Sequence, residues 1–388
     1  MSRIAFFCIP AWGHTNPTVE VVRELTAMGH RVRYYTFAPF RDKLASAGAE
    51  VVCCDDALPP QPKHLDKMVG RDFAALVEMV TETTLALEGQ VCRELEEFQP
   101  DVVVSDSVCF WGKLFAKKLG IPYVCSTTTF AFNQQSAALM KPKAGELLRS
   151  LLGVPRIGRK MALLRQHGYP VEKVTDLLQN DNETHTIVYT SRAFQPMAET
   201  FSERYAFVGP SLPEGEEHGA KGPRPLVYVS LGTVIHDRRQ FCKNCVAALA
   251  DMDVDAVLSV GTAENRKALG TLPSHIQAQE RVDQLAVLRR ADVFLTHCGM
   301  NSASEAIWYG VPTVLNPQQS EEAAVAARME ELGLGLRLHS EKPSHIRAAL
   351  ETVLADPAYG ERTARIARSF RASGGAKAAA AYILSCCK

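Results

Sequence analysis

Residues 3–37 read as strand, helix, strand: RIAFFCI (3–9), an amphipathic stretch, then RVRYYTF (31–37). Two strands joined by a helix within about 37 residues make a βαβ unit, so the sheet is parallel. In open sheets of this kind, ligands bind beyond the carboxyl ends of the strands. The first half supplies further strands of the same kind at AEVVCC (49–54), DVVVSD (101–106), IPYVCST (121–127) and THTIVYTS (184–191). Val19, Val22 and Leu25 recur at helical spacing up to about Met28, where Gly29 ends the run. Thr15 or Asn16 suits the cap of that helix, with Pro17 in its first turn. A long helix is expected from about Arg71 to Phe98, broken by Pro100, whereas 128–185 reads as irregular.

A stretch rich in Gly, Pro and charge, 207–225, interrupts this alternation. The pattern then restarts with PLVYVSLGT (225–233) and DAVLSVG (255–261), followed by QERVDQLAVLRRA (279–291). A chain of 388 residues exceeds one hydrophobic core. The expected organisation is an N-terminal domain over 1–206, a linker over 207–224 and a C-terminal domain over 225–372. The 43 basic and 43 acidic residues cancel, so no charged field steers a nucleic acid. No apolar run approaches the roughly 18–20 residues that span a bilayer. MSRIAFFCIP meets Pro10 too soon to read as a signal peptide, which points to the cytosol. Eleven scattered cysteines read as reduced thiols there, and Cys242 and Cys245 in FCKNC as helix packing rather than a redox or zinc pair.

Three polar groups fall where a parallel sheet presents chemistry. His14 lies just past the first strand, suited to acid–base work, although a surface loop histidine is the plain alternative. Asp106 ends the strand DVVVSD. It is either a helix cap or the partner of the Nδ1–H of His14, orienting the ring as an aspartate does in hydrolase triads. VFLTHCGMNSASEAIWYG (293–310) is strand, turn, helix, with His297 at the strand end, Gly299 permitting a tight turn, and Asn301 and Ser302 suiting a helix start. Asn301, Ser302 and Glu305 share a helix face while Met300, Ala303 and Ile307 pack inward. Free N–H groups and the positive end of the dipole make such a turn an anion site, with a carboxylate one turn on for a ribose. Ser230, Gly232 and Thr233 offer further N–H and hydroxyl groups to phosphate.

HCGMNS (297–302), then Glu305, GVP (310–312) and PQQSEE (317–322) together resemble the donor-binding box of UDP-dependent glycosyltransferases, in the bacterial macrolide and natural-product branch. The resemblance implies the GT-B architecture: two facing doubly wound Rossmann-like domains with a cleft between them, and a last helix (373–388) crossing back onto the N-terminal domain at Ser373-Gly374-Gly375. It implies that His14, in GHTNP (13–17), is the catalytic base and Asp106 its partner. The diphosphate falls to His297, Gly299, Asn301 and Ser302, and the ribose to Glu305. The family's Trp-x-Pro-Gln at the nucleobase corresponds here to Arg281, Val282, Asp283 and Gln284. A guanidinium plane also stacks on a base, so uracil remains the expected nucleobase, with thymidine open. The family's acid and glutamine on the sugar hydroxyls map to Glu321 and Glu322, a helix's first turn being the plain alternative. Glucose is the default sugar. Phe130, Phe132, Met140 and Leu163 are candidate contacts for a flat, apolar acceptor, with core packing the alternative for each.

The expected activity is therefore inverting transfer from a UDP-sugar to a hydroxyl of a small hydrophobic natural product of macrolide, flavonoid or terpenoid type, with no metal and no cofactor beyond the donor. Two other readings fit part of the pattern: a UDP-sugar epimerase of the same fold, which needs no acceptor, and a non-catalytic binding or activator subunit with a decayed donor site. The first βα turn, IPAWGHTNP, lacks GxGxxG, which disfavours a dinucleotide oxidoreductase.

Overall fold

The structure, a computed structural model, describes every residue except 58–72, 134, 137–143, 179, 214, 216–218 and 233–237; the side chains of 144–152 and 178 also fall outside it. The chain divides into two compact units, one made of Met1–Tyr189, Met197–Leu212 and Gly374–Lys388, the other of Thr190–Pro196 and Pro213–Ser373.

In the first unit the strands are β1 (Arg3–Phe7), β2 (Arg31–Thr36), β3 (Glu50–Cys53), β4 (Val102–Asp106), β5 (Tyr123–Thr127), β6 (His185–Val188) and β7 (Tyr205–Phe207). Their order is β3-β2-β1-β4-β5-β6-β7, every pair parallel. The second unit holds β8 (Leu226–Ser230), β9 (Asp255–Ser259), β10 (Ile276–Gln279), β11 (Val293–Thr296), β12 (Thr313–Leu315) and β13 (Gly335–Arg337), in the order β10-β9-β8-β11-β12-β13, again all parallel. Both sheets are doubly wound. Each reverses direction once, between β1 and β4 in the first and between β8 and β11 in the second, and such a switch point is where an open α/β sheet binds ligand. The strands are apolar on both faces because helices cover both faces: Ile4, Phe6, Val102, Val103 and Val104 are all buried in one core, and Val227, Val293 and Leu295 in the other.

Some elements depart from the sequence reading. The first helix runs Trp12–Ala27 and is capped by backbone from Ala11, so Thr15, Asn16 and Pro17 lie inside it rather than at its start. Ala11 accepts from both His14 N and Thr15 N, which starts the helix early and places His14 in its first turn. The region 128–185 is not irregular throughout: Ala144–Gln166 is helical and packs along Phe73–Phe98. Pro155 and three glycines mask its period, and cross-helix pairs such as Arg156 with Glu78 and Lys160 with Glu82 help to hold it. Residues 207–212, read as linker, belong to the first unit, and 190–196, read as part of the first domain, belong to the second. Arg328 accounts for the latter, donating to the carbonyls of Ala193 and Phe194 at 3.0 Å each, with Phe194 packed edge-on to Phe370. The terminal helix Gly375–Ser385 packs on Trp12–Ala27 within the first unit, and Gly374 reaches it with φ +86°.

Candidate active site

At the switch point of the first sheet, the helix that starts after β1 presents His14, and β4 ends in Asp106. Nδ1 of His14 lies 2.7 Å from Oδ2 of Asp106. An ionised carboxylate only accepts, so the bond assigns the proton to Nδ1 and leaves Nε2 the basic nitrogen. Asp106 is buried, 2% exposed, and its other oxygen accepts from Val108 N at 3.0 Å. Asp106 does not cap the helix Phe110–Leu119, whose N-cap is Cys109 with no side-chain bond: one oxygen closes the turn at Val108 before that helix and the other meets the imidazole. A third group, not singled out from the sequence, joins them: Thr128 Oγ1 stands 3.1 Å from the same Nδ1.

Trp12, Val108 and Phe132 are exposed aromatic or aliphatic side chains following β1, β4 and β5, three neighbouring strands. Of the residues expected to meet an acceptor, Phe132 is exposed, Leu163 is half-buried, Phe130 is buried, and Met140 lies outside the described residues. Trp12 and Val108 had no sequence signal beyond their closeness to His14 and Asp106.

The second unit builds a different arrangement at its own switch point. His297 follows β11, and its ring is wedged between Gly232, which follows β8, and Gly299. A Cβ on either glycine would come within 2.5 Å of the ring's Nε2, and Gly232 also takes φ +74°. These positions therefore admit only glycine if the imidazole is to lie where it does. Burial pushes the imidazole pKa down to about 4, against a smaller opposing pull from the Ser230 backbone. The ring is thus neutral at pH 7, with a single N–H to donate. Nδ1 is buried without a hydrogen-bond partner among the described residues. The left-handed residue of this turn is Cys298, φ +68°, not Gly299, whose φ is −60°. Thr296 supports the strained residue by accepting from Cys298 N at 3.1 Å.

The helix Met300–Trp308 starts on Gly299 with no side-chain cap, so Asn301 and Ser302 are inside it and its first N–H groups face outward from the strand end. Met300, Ala303 and Ile307 are buried, as the spacing required. On its other face Gln284 Nε2 donates to Ser302 Oγ at 3.1 Å and to Glu305 Oε2 at 2.6 Å, while Gln284 Oε1 accepts from Tyr228 OH at 3.2 Å. Three of the expected donor residues are therefore one hydrogen-bonded group. Arg281 is exposed and Val282 packs on the cluster around Tyr228 and Phe294. Asp283, the departure from proline, caps the helix Gln284–Leu288 by accepting from Ala286 N. Ser230 Oγ accepts from Gly232 N, and Thr233 lies outside the described residues.

Glu321 and Glu322 open the helix Ser320–Glu331. Glu321 is exposed. Glu322 is buried, and its Oε2 accepts from the backbone N–H of both Gln318 (2.7 Å) and Gln319 (2.9 Å), closing a capping box. Burial raises its pKa in spite of these two bonds. Its first role is thus to start a helix, as the buried member of a first turn in which Ser320 and Glu321 are exposed. Cys242 and Cys245 are buried in the helix Arg239–Leu249, with burial pushing the thiol of Cys242 up to about 11, which suits packing.

Comparison with known proteins agrees with this fold. Residues 243–378 match the model described as erythromycin biosynthesis protein CIII-like, C-terminal domain, and residues 13–174 match the glycosyl transferase 4-like domain. The chain is 33% identical over 386 residues to NDP-glycosyltransferase YjiC of Bacillus subtilis (strain 168), covering 98% of this chain and 96% of that one. It is also 33% identical to demethyllactenocin mycarosyltransferase of Streptomyces fradiae over 403 residues, 99% of this chain and 86% of that one. Among solved structures, the glycotransferase of kitacinnamycin superposes with a TM-score of 0.86 at 30% identity, over 100% of this chain and 99% of the other. A likeness of that extent over both halves, GT-B fold included, places the chain in the UDP-dependent glycosyltransferase family, within its bacterial macrolide and natural-product branch.

Proposed function

We propose that this glycosyltransferase moves a sugar, with glucose the first to test, from a uridine diphosphate donor to a hydroxyl of a small apolar natural product, inverting the anomeric centre. The observation that carries the reading is the 2.7 Å bond from His14 to Asp106 at the switch point of the first sheet. With Nδ1 committed to the carboxylate, Nε2 takes the acceptor's hydroxyl proton. The acceptor oxygen forms a bond to the anomeric carbon as the bond from that carbon to the diphosphate oxygen breaks, and the electron pair leaves with the diphosphate. The open N–H groups of Met300–Trp308 and the neutral imidazole of His297 are suited to the charge that develops there. Glu305, already oriented by Gln284, serves the ribose, and Arg281 stacks on the base. The scheme uses no metal. Trp12, Val108 and Phe132 are exposed and follow β1, β4 and β5, the strands beside the switch point, which supports a hydrophobic acceptor over a polar one. The relatives' names describe sugar transfer, which favours transfer over epimerisation.

The test is a mass-spectrometric screen of UDP-glucose and dTDP-sugars against macrolide, flavonoid and terpenoid alcohols, with the product's anomeric configuration read by NMR. His14→Ala should lower turnover by roughly 10²-fold or more. Near-normal O-glycosylation by that variant, or retention of configuration, would sink the mechanism. Sugar isomers formed from donor alone would return the epimerase to first place.

A further inference from the structure

We propose that Thr128 is a positioning residue for the base: its hydroxyl is a second acceptor for the Nδ1–H of His14, holding the imidazole in the tautomer that can deprotonate an acceptor. The proposal rests on the assignment of His14 as base and goes beyond it. Asp106 pairs with Ser126 across β4 and β5, and Thr128 stands in the bend just past the end of β5 at Thr127. There Thr128 is 3% exposed, and Oγ1 lies 3.1 Å from Nδ1 while Asp106 Oδ2 lies 2.7 Å from it. The His14 contact is the one hydrogen bond Oγ1 makes among the described residues.

Two oxygens on one nitrogen restrict the chemistry. A threonine hydroxyl either donates or accepts. If it donated to Nδ1, the ring would carry its proton on Nε2, and Asp106 Oδ2 would face a lone pair 2.7 Å away. If it accepts, both oxygens share one N–H, and both bonds strengthen when the ring becomes imidazolium, because the N–H then carries more positive charge. The hydroxyl therefore favours the base form that works and the charged form it turns into. Losing it should make His14 a weaker base. Asp106 is the charged group in contact with this ring, and burial raises the pKa of the Cys8 and Cys109 thiols, which sense the Asp106 carboxylate.

The test compares Thr128→Val, which keeps the shape, with Thr128→Ser, which keeps the hydroxyl, measuring kcat/KM against pH for each. The valine variant should lose about tenfold in kcat/KM at its optimum, and the acid limb of its profile should move to lower pH by roughly half to one unit. The serine variant should keep the parent's acid limb. A Thr128→Val profile superimposable on the parent's would overturn the proposal, as would a serine variant as impaired as valine, since packing of the methyl would then explain both. If valine prevents folding, Thr128→Ala with the same readout decides the matter, and in the intact enzyme the 15N shifts of the His14 ring must report a proton on Nδ1. His14→Ala run alongside separates the two ideas: if it stays active, the base assignment fails, whereas if it is inactive and Thr128→Val is normal, Thr128 alone is wrong.

Discussion

At the scale of single residues, the legible ones are those that a strand end exposes. His14, Asp106 and His297 were found because a parallel sheet directs chemistry to the carboxyl ends of its strands, and each lies at such an end. Thr128 was hidden in the TTT run 127–129, where no local signal distinguishes one hydroxyl from its neighbours. The left-handed backbone at Cys298 was hidden too, because a glycine next door is the residue that such a turn ordinarily selects. His297 carries a consequence for stability. Its folded pKa, about 4, lies below its ordinary 6.5, so between those values the unfolded chain binds a proton that the folded one refuses. The stabilisation is complete above pH 6.5 and is lost as pH falls toward 4, at a slope of up to about 1.4 kcal/mol per pH unit. Thermal melts across this range should show a falling midpoint for the parent and a flatter one for His297→Gln. Equal slopes would mean that other groups govern the acid side.

Secondary-structure elements were legible in proportion to their length and periodicity. The first five strands and Val293–Thr296 were placed within two residues, since each is a short apolar run bounded by turn residues. β12 and β13, three residues each, carry too few side chains for any pattern, and they exist because the sheet on either side supplies their partners. Helix starts were the least readable feature. Thr15, Asn16, Asn301 and Ser302 are good capping types, yet a backbone turn or a glycine does the work, whereas Asp283 and Glu322 cap helices from positions where the donor pattern drew attention to ligand binding. Glu322 tests this reading of its helix. Glu322→Ala should lower stability by about 1 kcal/mol, the usual cost of a lost cap, and Glu322→Gln should lower it less because an amide oxygen also accepts from the two N–H groups. Differential scanning calorimetry of both variants checks the ranking. An alanine variant as stable as the parent would leave the carboxylate without a structural purpose.

At the scale of the whole molecule, two sheets wound alike place His14 and Asp106 at the switch point of one unit and His297 at that of the other. Their assembly is not sequential along the chain, because 190–196 lodges in the second unit and Gly374–Lys388 in the first. That division was half legible: the double glycine marked the return of the last helix, but nothing in 190–196 distinguishes a loop that Arg328 holds from one that stays with its own strand. A chain ended at Ser373 should therefore lose its glycosyl transfer while still binding the donor nucleotide, since Ala379, Ala380 and Ile383 bury their side chains against the helix that carries His14. Calorimetry with UDP and a turnover assay on the same sample would check both halves, and full activity would show the terminal helix to be dispensable. The same helix sets the timetable of biosynthesis. A ribosome completes the strands of the first unit at Phe207 and delivers the piece that closes them only from Gly375 onward, so the nascent N-terminal half waits, unsealed, through the making of its neighbour.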